Sequence, residues 1–96
     1  MRQLGANLVF HGEEFDDSLE HAERLSREEG YRFIHSANEG LLISGVGTYS
    51  LEIMEDLPEA QVIIVPVGGG SGACGACIVA KTLRPEVQVI GVQASG

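Results

Sequence analysis

The chain has 96 residues, the size of one small domain or part of one, and 44% of them are apolar, which excludes a disordered segment. No apolar run approaches the length of a spanning helix, and Met1, Arg2, Gln3, Leu4 and Gly5 lack the apolar core of a signal peptide. Acidic residues number 14 against 6 basic ones, and the net charge of −8 is the wrong sign for a reader of phosphate backbones.

Residues 6–10, Ala-Asn-Leu-Val-Phe, are bounded by Gly5 and Gly12 and read as a short strand. Phe15, Leu19, Ala22 and Leu25 then recur on one helical face, predicting a helix over 15–29 with Gly30 as its stop. Its other face carries Asp16, Asp17, Glu20, Glu28 and Glu29. A second short strand is expected over 31–34, followed by a polar loop from His35 to Gly40. Ile43, Val46, Ile53 and Leu57 give helical spacing over 41–57, interrupted by Gly45 and Gly47 and closed by Pro58. Residues 61–67 are continuously apolar and β-branched, the pattern of a strand covered on both faces. A helix over 73–83 ends before Pro85, and 87–92 form a fourth strand. The order β-α-β-α-β-α-β implies an α/β fold with a mostly parallel sheet.

The informative segment is Gly68, Gly69, Gly70, Ser71 and Gly72, between the buried strand and the following helix. Residues without side chains let backbone N–H groups converge on an anion, and the helix N-terminus adds partial positive charge. A simple tight turn needs one or two glycines, whereas four among five residues carry an entropic cost that anion binding explains. Gly70, Gly72 and Gly75 match the dinucleotide G-x-G-x-x-G pattern, but Gln93, Ala94 and Ser95 stand where that reading expects an acid. The Gly-Lys-Ser/Thr ending of a Walker loop is absent. A cofactor monophosphate is the third reading.

From Val65 to Gln93 these residues resemble the phosphate loop, helix and next strand of the threonine dehydratases and serine racemases, which are fold-type-II (tryptophan synthase β-like) pyridoxal-phosphate enzymes. That family shows a Val-Pro-x-Gly-Gly-Gly-Gly-Leu run, a Lys-x-x-x-Pro helix end and a Gly-Val strand, here at Val65-Pro66, Lys81 to Pro85 and Gly91-Val92. Gly5-Ala6, Gly12, Phe15-Asp16-Asp17, His35, Gly45-Val46-Gly47-Thr48 and Leu51-Glu52 fall in the same order, so the resemblance covers essentially the whole chain. Ser71 replaces the fourth glycine of the run, and Gly72 replaces the apolar residue after it.

The resemblance implies that Gly68, Gly69, Gly70, Ser71 and Gly72 hold the phosphate of pyridoxal 5'-phosphate. It also implies that 1–34 belong to a small domain and 35–96 to the large cofactor-binding domain. The intact enzyme is then expected to be a homo-oligomeric lyase of amino-acid metabolism. It removes the β-hydroxyl of L-threonine or L-serine to give a 2-oxo acid and ammonia, or racemises serine. In this family the cofactor aldehyde condenses with a lysine of a Ser-x-Lys segment ahead of the glycine run, which has no counterpart here. The single lysine, Lys81, matches the family's structural helix lysine, so no catalytic residue is assigned and the 96 residues alone are expected to be inactive. The alternative is a non-catalytic α/β module that binds a phosphorylated ligand or a partner chain.

Cys74 and Cys77 form a CxxC at a helix start, and are read as small apolar residues of a close-packed helix rather than a redox pair. Without a secretion signal they suggest reduced thiols and a cytoplasmic location. His11, His21 and His35 are scattered without metal-ligand geometry and read as solvated or capping residues. Glu13, Glu14, Asp16 and Asp17 read as an acidic first turn complementing a helix dipole. Thr48 is expected to order the glycine-containing segment at 45–48. Neither nucleic acid, membrane nor metal is expected as a partner.

Overall fold

The computed structural model describes residues 1–95, which form two compact units, one from Met1 to Ile34 and one beginning at His35. The first unit holds a 3-10 turn (Arg2–Leu4) and helix α1 (Phe15–Glu29). The bounds of α1 are those the apolar spacing predicts. Its first turn is secured by Asp17, whose carboxylate accepts the amides of Glu13 at 2.9 Å and Glu14 at 3.2 Å. Those two donors hold the Asp17 carboxyl below the usual carboxylate range. Gly30, at a φ of +73°, closes the helix.

The strands expected over 6–10 and 31–34 are absent. A strand exists only as one side of a hydrogen-bonded ladder, and the sheet among the described residues consists of two later strands. Polar bonds to α1 hold the adjoining chain instead: Ser18 donates to the His11 carbonyl at 2.7 Å and Ser26 to the Tyr31 carbonyl at 2.6 Å. The rings of His11 and His21 stack with centroids 4.0 Å apart. Desolvation lowers the His21 pKa, with smaller contributions from His11 and Arg24.

The second unit runs α2 (Gly40–Asp56), β1 (Val62–Pro66), α3 (Ser71–Leu83) and β2 (Gln88–Val92). The two strands are parallel, with Val62 opposite Gln88 and Pro66 opposite Val92. Helix α3 crosses between them and packs on the sheet, and α2 packs on α3. The core is Met54, Ile63, Val65, Ala76, Ala80 and Val87. Gly45 and Gly47 do not interrupt α2. Gly47 is buried against Gly75, where a Cβ would come within 2.9 Å of the Gly47 backbone and 3.0 Å of the Ile43 carbonyl. α2 also buries the Ser50 hydroxyl, which has no hydrogen-bond partner among the described residues.

β1 was expected to be covered on both faces, but its residues alternate between buried and exposed. Within this unit α3 packs on one face of the sheet, so Ile63 and Val65 are buried while Val62, Ile64 and Ile90 point away from the core.

Candidate functional site

β1 delivers the chain to the glycine run at its carboxyl end, where ligands bind in parallel α/β sheets. α3 starts at Ser71, two residues earlier than its apolar spacing predicts, so Ser71 and Gly72 are its first helical residues. Gly70 is the N-cap at a φ of +98°, a conformation that side chains disfavour. Its carbonyl accepts the Cys74 amide at 2.9 Å, the first bond of the helix. The amides of Ser71, Gly72 and Ala73 therefore precede the intrahelical ladder, and no side chain caps them.

The five residues of the run are thus contiguous around an uncapped helix N-terminus. Cβ atoms built at Gly68 and Gly70 would meet open space. At Gly69 a Cβ would stand 2.7 Å from that of Ala37, and at Gly72 it would stand 3.5 Å from the Tyr49 hydroxyl. The loop carrying Ala37 is ordered by His35, whose Nδ1 accepts the amides of Ala37 at 3.0 Å and Asn38 at 2.9 Å. Two such donors require Nδ1 to be unprotonated. Sequence reasoning missed both Ala37 and Tyr49. The only trace of Tyr49 was Gly72 itself, a missing side chain whose space another residue fills.

Thr48 donates to the Gly45 carbonyl at 2.7 Å, a bond internal to α2. Lys81 lies near the opposite end of α3, and its Nζ donates to the carbonyls of Pro85 at 2.9 Å and Val87 at 2.7 Å. Ten residues of helix separate it from Ser71, a rise of about 15 Å. Cys74 and Cys77 are free and exposed, and no cluster that could hold a metal ion occurs among the described residues. No helix there is long and apolar enough to cross a membrane. A concavity of about 560 Å³ lies at the amino ends of the strands, away from the glycine run, and includes Glu59, Arg84 and Glu86. Arg84 is committed there to the carbonyls of Pro58 and Ala60, as a strut rather than a ligand group.

A pyridoxal phosphate monoester fits the donor set at the glycine run. Unpaired backbone amides at a helix N-terminus suit a dianion, and a turn without side chains at Gly68 and Gly70 leaves room for its oxygens. The fold and this turn together define a parallel α/β scaffold with an uncapped helix N-terminus at the carboxyl end of β1.

The model of the family described as "Pyridoxal-phosphate dependent enzyme" matches residues 1–96, and the chain belongs to that family. The L-threonine ammonia-lyase of Thermotoga maritima is 47% identical over 92 residues, covering 96% of this chain and 23% of that protein. The catabolic L-threonine dehydratase TdcB of Escherichia coli K12 is 40% identical over 88 residues, covering 92% of this chain and 27% of that protein. Among solved structures, processed threonine deaminase isoform 2 from Solanum lycopersicum superposes with a TM-score of 0.87 at 34% identity, over 96% of this chain and 25% of that one. Maize serine racemase superposes with a TM-score of 0.82 at 31% identity, over 94% of this chain and 28% of its own. The fold is therefore that of the fold-type-II pyridoxal-phosphate enzymes. The chain spans about a quarter of the length of these relatives.

Proposed function

We propose that the chain is the phosphate-holding part of a pyridoxal-phosphate-dependent threonine or serine ammonia-lyase. Residues 35–96 belong to its cofactor domain and 1–34 to a smaller one. The division between compact units at Ile34 and His35 supports that assignment. One observation carries the proposal: the uncapped N-terminus of α3, reached through Gly70 in the left-handed region. Gly68, Gly69 and Gly70 form the turn, and Gly69 and Gly70 contribute amides with Ser71, Gly72 and Ala73. The Ser71 hydroxyl is a further donor.

When bound, the cofactor supplies an electron sink for breaking bonds at the amino-acid α and β carbons. The residues here anchor and orient it, and no residue of the described chain takes the role of the lysine that carries it. The 47% identity to a threonine ammonia-lyase favours β-elimination from threonine over racemisation. The apolar sheet face at Val62, Ile64 and Ile90 supports burial against further protein, in keeping with a homo-oligomer. A cytoplasmic setting suits the two free thiols.

The test is a titration of the chain with inorganic phosphate, followed by amide NMR. Shifts centred on Gly69 to Ala73 with about millimolar affinity, or roughly −4 kcal/mol, are expected from backbone donors alone. Shifts confined to α1 would overturn the proposal.

A further inference from the structure

The family run places an apolar side chain where this chain has Gly72, and the structure shows what stands in that space. Tyr49, on the third turn of α2, sends its hydroxyl across to the first turn of α3 and donates to the Gly72 carbonyl at 3.3 Å. A Cβ at Gly72 would lie 3.5 Å from the same oxygen, so any longer side chain built there competes with Tyr49 for volume. We propose that Tyr49 is the positioning residue of the phosphate cradle, filling the space beside Gly72 and fixing the Gly72–Ala73 peptide, whose N–H, that of Ala73, faces the anion. The proposal rests on reading the glycine run as that cradle.

The physical need is local. Gly72 is one of three residues whose amides precede the α3 ladder, and a glycine there has more backbone freedom than the residue it replaces. A carbonyl has two lone pairs, so Gly72 accepts from Tyr49 while still serving the helix. The bond is longer than the roughly 2.8 Å common for hydroxyl donors, so the ring's bulk matters as much as the hydrogen bond. Tyr49 is 38% exposed and lies outside the buried core cluster, so its contact with Gly72 is set apart from the packing of that core.

The experiment is a double-mutant cycle in inorganic phosphate affinity. Gly72→Leu should weaken binding about tenfold or more, and Tyr49→Ala about three- to fivefold. The double variant Tyr49→Ala/Gly72→Leu should recover to within about threefold of the native chain, because the leucine occupies the vacated space. Single losses that multiply in the double variant would overturn the positioning role. Tyr49→Phe keeps the ring, and should bind about two- to threefold more weakly at an unchanged urea midpoint, with the Ser71 to Ala73 amide signals moved. Native affinity with unmoved signals in that variant would equally overturn it. A native chain that binds no phosphate overturns the cradle reading itself, whereas binding with no coupling between positions 49 and 72 overturns only the role of Tyr49.

Discussion

Gly70 makes the turn from β1 into α3 at a φ of +98°. L-residues pay roughly 1–2 kcal/mol in the left-handed region, and a β-branched residue pays more. Gly70→Val is therefore expected to abolish phosphate-induced shifts at Gly69 to Ala73. Shifts that persist unchanged in that variant would reduce the glycines to a plain turn. Ser50 lies at the other extreme, fully buried with its hydroxyl unpaired. Ser50→Ala removes a desolvated polar group and leaves only a small void, so it should stabilise the chain by about 1 kcal/mol. A lower urea midpoint in that variant would contradict this.

At the scale of elements, α2 and α3 meet where Gly47 faces Gly75. A side chain at Gly75 would strike backbone atoms of α2, which cannot rotate away. Gly75→Val should therefore cost about 1–3 kcal/mol in urea unfolding, and a neutral result would mean that the helices separate freely. α1 depends instead on charge. The Asp17 pKa is depressed by the amides of Glu13 and Glu14, so the folded state favours the carboxylate. Its contribution is complete above the ordinary value of 3.8 and is lost as pH falls through the lower folded value. His21 acts in the same direction at higher pH, since its depressed pKa favours the neutral ring and its contribution fades below 6.5. Amide signals at the start of α1 should lose order as pH falls below 3.8, whereas Asp17→Asn, which has no carboxylate to protonate, should lack that transition. Identical acid profiles for the two chains would refute the cap.

For the whole molecule, the governing fact is the position of its single lysine. Lys81 is held on the carbonyls of Pro85 and Val87, at the end of α3 remote from Ser71. These 96 residues should accordingly produce no 2-oxobutyrate from threonine in the presence of pyridoxal phosphate, and measurable turnover would require a lysine the structure does not place at the cradle.

Sequence alone determined the helices and the glycine run, because their signals are local. Apolar spacing marked α1 to the residue, and β-branched composition marked β1. Four glycines among five residues marked the turn before any partner was known. Strands at 6–10 and 31–34 were misread for the complementary reason: composition permits a strand, but only a place in a ladder makes one, and the sheet of the described residues is built from β1 and β2. The covering of β1 on one face, the meeting of Gly47 with Gly75, and the approach of Ala37 and Tyr49 to the glycine run were decided by tertiary structure. Tyr49 and Gly72 lie 23 residues apart, and only the packing of α2 on α3 brings one's hydroxyl into the space the other's missing side chain leaves.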